Sequence, residues 1–427
     1  MSRSIIWFRN NLRLHDNAAL ANACRHDQAL GLYCFDPGLF RETAYGFLKT
    51  GALRLHFILE ALENLQEELG KLNIPLKVVI AKPEIVIPEL CDRWSIDGVY
   101  AQKEHTYEEL QVEKLLTEAL PDKTQLHFTE GITLFNPEKL PFDLDKMPRV
   151  FTDVRKMLEK YGEIPDIVDQ PGAREAWPGN EELEQWPGWE AFGLEAETPD
   201  ERTAFPWRGD EKAALERLES YLWESRRIEK YKFTRNGLVG ADYSSKFSPW
   251  LSIGALSPRM IYHEVKRYEQ EVKKNISTYW LIFELIWRDF FRLVAMQHGS
   301  KIFMAEGIRQ KPVEWSFDPE VFEKWRTGNT GDDFVDANMK ELQLTGFMSN
   351  RGRQNVASYL AHDLKQDWRA GAAWFENRLI DYDVTSNWGN WMYVAGVGND
   401  PRDRKFNTQW QAEKYDKNRQ YRKLWLD

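Results

Sequence analysis

The spacing of apolar residues changes once along this chain, and that change limits the fold more than any other feature. Up to about residue 130, short apolar runs at 4–8, 29–35, 76–80, 98–101 and 125–128 alternate with helical repeats. Residues 51–69 place Leu53, Phe57, Leu59, Leu62 and Leu65 at helical spacing, and 107–119 continue it with Leu110, Leu115 and Leu116. Strands alternating with helices imply a parallel sheet covered on both faces, a doubly wound α/β unit over 1–130, with ligands at the carboxyl ends of its strands. Beyond Phe205 the spacing is helical almost to the end, at 211–223, 257–271, 277–298, 319–327, 334–345, 351–367 and 370–381. That predicts an all-helical unit over 205–427. Between the two, 131–204 is rich in proline, glycine and acidic residues, with one helix at 152–161. It reads as a connector running over the surface, and one so long carries function or packs against both neighbours.

Composition narrows the classes further. With 42% hydrophobic and 29% charged residues the balance is that of a soluble globular chain. No apolar run is long enough for a bilayer, and the first ten residues lack a secretory pattern. Cys24, Cys34 and Cys91 show no CxxC spacing, so neither a disulfide framework nor a zinc site is indicated, and the cytoplasm is the default compartment. There is no GxGxxG after the first strand and no GxxxxGK[ST], which excludes the usual glycine-loop route to a dinucleotide. The net charge of −10 is a weak argument against a nucleic-acid partner, because binding follows local potential. Arg226, Arg227, Lys230, Lys232 and Arg235 fall in one short segment, with smaller clusters at Arg351/Arg353 and Arg402/Arg404/Lys405. Each alone reads as a solvated face. The 18 tryptophans, nearly all after residue 176, serve equally as core, stacking platforms or electron donors.

Four segments of the helical half carry chemistry. Ser244, Ser245, Lys246 and Ser248 precede a Ser-Pro helix start, which is a capped turn or a pyrophosphate cradle. Glu284 and Arg288 stand four apart in an apolar stretch and would ordinarily pair on one helix face. Asp381 and Asp383 hint at a divalent cation, weakly, for want of further oxygen ligands. Trp391, Trp368 and Trp315, taken singly, are ordinary core residues.

Read together, IIWFRNNLRLHDNAAL (5–20), DYSSKFSPWLSIGALSPR (242–259), FELIWRDFFR (283–292), TGFMSNRGRQNVASYL (345–360) and LIDYDVTSNWGNWMY (379–393) resemble the photolyase/cryptochrome family in order and spacing. The resemblance covers nearly the whole chain and implies an α/β domain joined by a long connector to a helical FAD domain. It implies FAD contacts from Tyr231, Ser244, Ser245, Lys246, Phe247, Ser248, Arg288, Arg353, Asp381 and Asp383, with Asp381 paired to Arg353 and Asp383 at the polar edge of the flavin. Asn387 matches the residue facing flavin N5, where an amide both donates and accepts. Glu284, Trp287 and Asn350 match residues between flavin and lesion, and Trp391, Trp368 and Trp315 match an electron chain to the surface. Glu104 falls where some members contact a methenyltetrahydrofolate antenna; the plain alternative is a surface carboxylate at a strand end.

Within the family the match is closest to the DASH branch. Asn350 and Gln354 stand where (6-4) photoproduct enzymes carry histidines. Gln354 and Tyr393 stand where conventional dimer photolyases have methionine and tryptophan. The implied activity is light-driven electron transfer from reduced FAD to a cyclobutane pyrimidine dimer in DNA, single strands preferred because no duplex must be opened. The rival is a non-repairing blue-light receptor, against which the ending at Asp427 without a tail counts. Monomer is the family default. Asn11 departs from the usual aspartate and bears on packing near the first strand.

Overall fold

The computed structural model describes residues 1–179, 183, 185–310, 312–400 and 404–427, so Arg402 of the third basic cluster lies outside the described residues. Five parallel strands, β1 (Arg3–Phe8), β2 (Gln28–Phe35), β3 (Leu76–Ile80), β4 (Gly98–Gln102) and β5 (Gln125–Thr129), form one sheet in the order β3-β2-β1-β4-β5. The alternation along β1 explains its two-sided burial. Ile6 and Phe8 enter one core with Leu62 and Leu65 of the helix Ala52–Gly70, while Ile5 and Trp7 enter another with Ile87 and Val99. In the helix Tyr107–Ala119 the expected stripe is not the buried one. Leu110 and Leu115 are exposed, and Leu116 is buried beside Glu113, whose carboxylate accepts from Arg9 and Lys103.

Helix after helix follows from Glu211 to Leu426, with Ile276–His298 longest and most apolar. Two expected helices are shorter than their periodicity: Glu211–Glu219 gives way to a π-turn at Ser220–Glu224, and Asn350–Ser358 to another at Tyr359–Asp363. A π-turn keeps apolar side chains near helical register while ending the α ladder, so spacing alone cannot mark the stop. Helices Pro83–Trp94, with Pro88 inside, and Val384–Val394 escaped the periodicity.

The connector is not merely a surface strap. Trp177 and Leu183 join the core beneath the sheet, and Phe151, Val154 and Leu158 of the helix Phe151–Tyr161 join the core shared with the long helix. Asp289 pins its start: the carboxylate accepts from the N–H groups of Leu134 and Phe135 at 3.1 and 2.9 Å, and burial raises its pKa to about 6. The two outer regions meet through the first and second motifs. Arg13 donates to the Gly254 carbonyl at 2.7 Å, Arg259 to Asp16 at 2.9 Å, and Leu14 N–H to Glu211 at 2.7 Å. Gly254 has φ = 72° and lies so close to the Asn10 carbonyl that a Cβ would sit 1.9 Å from its oxygen. The opening motif is therefore a dock for the helical region, and Asn11 lies buried inside it, accepting from Arg9 N–H.

Candidate functional site

A cavity of about 560 Å³ lies among the helices, well inside the range of small-molecule sites. Its lining gathers residues far apart in sequence: Tyr231, Ser244, Ser245, Lys246, Phe247 and Ser248; Glu284, Trp287 and Arg288; Asn350, Arg353 and Gln354; Asp381, Asp383, Asn387, Trp391 and Tyr393. Of the residues singled out from sequence, Glu104, Trp368 and Trp315 are not in the wall.

One side of the cavity is cationic and short of partners. Lys246 has φ = 63°, an uncommon backbone for a residue with a side chain, and is 2% exposed. Its ammonium stands 3.3 Å over the Tyr243 ring without a hydrogen-bond partner, and burial holds its pKa well below the usual lysine range. A buried ammonium without a hydrogen-bond partner, in a wall it shares with Ser244, Ser245 and Ser248, is costly in isolation and fits an anionic group such as the FAD pyrophosphate. Nearby, Arg353 donates to Asp381 at 2.9 Å and Ser248 to the same oxygen at 2.7 Å, while the second Asp381 oxygen is buried without a partner.

Asp383 faces a different cation. It accepts from Arg292 at 2.6 Å, caps the helix Val384–Val394 through Ser386 N–H at 2.8 Å and lies 3.6 Å from Arg288. Burial alone would raise its pKa, but Arg292 and Arg288 hold it well below the carboxylate range. Asp381 and Asp383 thus serve separate arginines and do not converge as a cation pair. Arg292 lies within the motif 283–292, but nothing in that motif singles it out. Its signal, a cation on the apolar face of a long helix, marks a buried ion pair. It also reaches Glu104 at 3.6 Å, so Glu104 is no surface carboxylate: it is 1% exposed and accepts from Asn10.

At the opposite wall Glu284 pairs with Arg235 at 2.7 Å, not with Arg288, whose guanidinium is drawn to the carbonyls of Ile132 and Leu251. The i,i+4 expectation fails because the connector and the helix Ser248–Ile253 offer Arg288 two acceptors, the carbonyls of Ile132 and Leu251. Burial raises the Glu284 pKa and Arg235 opposes it. Trp287 shows the cavity one face and is backed on the other by Phe151 of the connector, with ring centroids 3.6 Å apart and planes at 11°. Phe151 is a supporting residue that no local pattern reveals. Asn350 is exposed at the mouth, in the first turn of Asn350–Ser358, behind the Ser349 cap. Gln354 accepts from Arg351 at 2.9 Å, and the Tyr393 hydroxyl from Arg404 at 2.9 Å.

Asn387 donates to the Ala372 carbonyl at 3.0 Å, which fixes the amide in the wall. Trp391 is buried and packs edge-on to Phe375 and Trp325, at 5.1 and 6.1 Å. Trp368 packs on Trp388 at 5.7 Å. Trp368 and half-buried Trp315 converge, since both indoles donate to the Ala305 carbonyl, at 3.2 and 3.1 Å. Gly371, one turn beyond Trp368, lets Trp391 approach the same helix: a Cβ there would sit 2.2 Å from its ring. The basic segment is largely neutralised, Arg226 by Glu229, Arg227 by Asp242 and Arg235 by Glu284, while Lys232 lies over the Trp280 ring. In the third cluster Arg404 bonds Asp400 and Lys405 bonds Asp363. Among the described residues no three His, Cys, Asp or Glu side chains gather as a metal site, and no helix is long and apolar enough to cross a membrane.

Comparison with known proteins agrees with this layout. The family profile described as "DNA photolyase" matches residues 4–172, and that of the "FAD binding domain of DNA photolyase" matches 280–427. The chain is 47% identical over 425 residues to Cryptochrome DASH of Gloeobacter violaceus, covering 99% of this chain and 85% of that one. Against Cryptochrome DASH of Xenopus laevis it is 48% identical over 434 residues, covering 100% and 83%. The crystal structure of a Synechocystis cryptochrome superposes with a TM-score of 0.95 at 47% identity, covering 100% of this chain and 89% of that one. A photolyase from Sulfolobus tokodaii, solved with two FAD molecules, gives 0.79 at 25% identity, covering 100% and 90%. With a parallel sheet docked on a helical FAD domain, and DASH cryptochromes similar along its full length, the chain belongs to the photolyase/cryptochrome family.

Proposed function

We propose that this protein repairs cyclobutane pyrimidine dimers with blue light, preferentially in single-stranded DNA. The observation that carries the reading is that Glu284, Trp287, Asn350, Gln354 and Tyr393 share one cavity with the cationic cradle and the aspartates suited to FAD. Bound FAD supplies the light-driven electron. The residues of the chain do the rest. Lys246 and the serines bind the anionic part of the cofactor, Arg353–Asp381 and Arg292–Asp383 fix the aromatic part, and Asn387 meets its N5 edge. Trp287, held flat by Phe151, offers the dimer an apolar wall, while Glu284 and Asn350 supply polar contacts where charge develops on the pyrimidines. Trp391, Trp368 and Trp315 carry electrons inward from the surface.

In this reading residues 1–130 form the α/β domain, 131–204 the connector and 205–427 the catalytic domain, acting as a monomer. Three free cysteines, two of them buried, fit a reducing compartment such as the cytoplasm. The deciding experiment follows a thymine dimer in a single-stranded oligonucleotide and its duplex, under blue light with reductant. Repair confined to the single strand, reduced about tenfold or more in Glu284→Gln, is the expected result. No repair of either substrate by a flavin-loaded, photoreducible protein would sink the proposal and leave the photoreceptor.

A further inference from the structure

Of the 18 tryptophans, all within the described residues, Trp410 alone is exposed, at 52%. Leaving so large an apolar ring in water calls for a partner. Its neighbours indicate which. Lys414, one turn on in the helix Thr408–Tyr415, holds its ammonium 4.6 Å over the Trp410 ring and 5.3 Å over Tyr415. The Arg351 guanidinium lies 4.8 Å over the other side of this aromatic row, on Tyr415, and donates to Gln354 in the cavity wall. Neither Lys414 nor Arg351 has a carboxylate partner among the described residues: Lys414 rests on aromatic rings, and Arg351 rests on Tyr415 and donates to Gln354 and Asn236. The row Trp410–Lys414–Tyr415–Arg351–Gln354 therefore leads without a break from open surface to the cavity mouth. Of the seven lysines and arginines in residues 404–427, Arg404, Lys405, Arg419 and Arg422 are paired with carboxylates, so the charge this row offers to a ligand comes from Lys414 and Arg351 themselves.

Rings with π-faces in water, interleaved with unneutralised cations at the spacing of neighbouring side chains, are the chemistry that holds a single nucleic-acid strand. We propose that this row is a shelf for the unpaired bases flanking the lesion, with Trp410 stacking a base and Lys414 and Arg351 facing backbone phosphates. The inference rests on the DNA reading above and adds to it: the preference for single strands comes from bases that only an unpaired strand can lay on the shelf, besides the polarity of the cavity. A duplex keeps those bases stacked on each other.

The test compares the flavin-loaded protein's affinity for two single-stranded probes, a minimal thymine-dimer trinucleotide and a twelve-nucleotide strand with a central dimer, by fluorescence anisotropy in the dark. The long probe is expected to bind at least about tenfold more tightly than the short one, and Trp410→Ala to remove most of that gain. Trp410→Phe, which keeps a ring, should restore part of it, and affinity for the short probe and bound flavin should not change in either variant. Equal affinity for the two probes in the unmodified protein would overturn the shelf while leaving the cavity reading intact. So would a Trp410→Ala protein that still favours the long probe. Failure to bind either dimer probe would instead overturn the DNA reading on which the shelf depends.

Discussion

Two of the arginine–carboxylate contacts around the cavity, Arg292 with Asp383 and Arg235 with Glu284, differ in everything but chemistry. Behind its floor, the Arg292 side chain is 1% exposed and lies between Asp383 at 2.6 Å and Glu104 at 3.6 Å, so that one cation ties the Asp383 side of the cavity to the loop after β4. At its rim, the Arg235 side chain is 22% exposed and meets Glu284, itself 28% exposed. A charge in the first position has no water to fall back on, whereas one in the second can trade its partner for solvent or a ligand. The floor is therefore built to stay as it is, and the rim to change partners. In the repair function proposed above, Glu284 would exchange Arg235 for a pyrimidine.

Removing the two cations separates the cases most widely. Arg292→Met leaves Asp383 and Glu104 buried without it, and is expected to cost about 3–5 kcal/mol and most of the bound flavin. Arg235→Met should cost no more than about 1 kcal/mol and retain the flavin. Urea midpoints, with flavin absorbance per protein after purification, check both. Equal losses in the two variants would break the comparison.

A second, smaller effect lies on the cationic side of the cavity, where Glu341 is buried between the Tyr421 hydroxyl, which donates to it at 2.5 Å, and the neighbourhood of Lys246. Burial raises its pKa to about 7 from the ordinary 4.5. The folded chain therefore keeps a proton that the unfolded chain releases first. The stability tied to this group is complete below about pH 4.5 and is lost as pH rises through about 7, on the order of 3 kcal/mol in all. Replacing Glu341 with Gln keeps an acceptor for Tyr421 and removes the titration. The shift of the urea midpoint between pH 5 and pH 8 should shrink in that variant. At the rim, burial also raises the Glu284 pKa, although Arg235 opposes it, so Glu284→Gln should likewise reduce the loss of stability as pH rises.

The floor and rim also differ in how far the sequence reveals them. Periodicity was enough for all five strands and the long helix, because burial on two faces or one repeats at fixed intervals. Motif spacing was enough for the cavity lining from 244 to 248 and from 381 to 393. What escaped was pairing across distance. Glu284 and Arg288 are neighbours on one helix, yet their partners come from Arg235 on one side and the connector on the other. Glu104 looks like a strand-end carboxylate until Arg292 and Asn10 close over it. Phe151 opens the helix read at 152–161, but that periodicity shows only a buried face, not that the face stacks on Trp287 of a distant helix. Trp410 is the reverse case: its side chain carries no motif, and only its exposure sets it apart from the other 17.

The smallest expected effect concerns the rim alone. Gln354 and Tyr393 are polar where a dimer would lie, and each is held by an arginine, Arg351 and Arg404, at 2.9 Å. Gln354→Met combined with Tyr393→Trp removes both acceptors and adds stacking and apolar surface, worth on the order of 1 kcal/mol to an extruded pyrimidine pair. A single strand already presents its dimer and gains little. A duplex must first unstack it, so the added contact offsets part of that cost. Duplex repair should rise roughly three- to tenfold relative to single-strand repair, with flavin content unchanged and stability within about 1 kcal/mol. An unchanged ratio would mean that cavity polarity does not set the strand preference, and would shift the weight to the flanking shelf at Trp410, where the same double variant combined with Trp410→Ala would then lose its advantage on single strands alone.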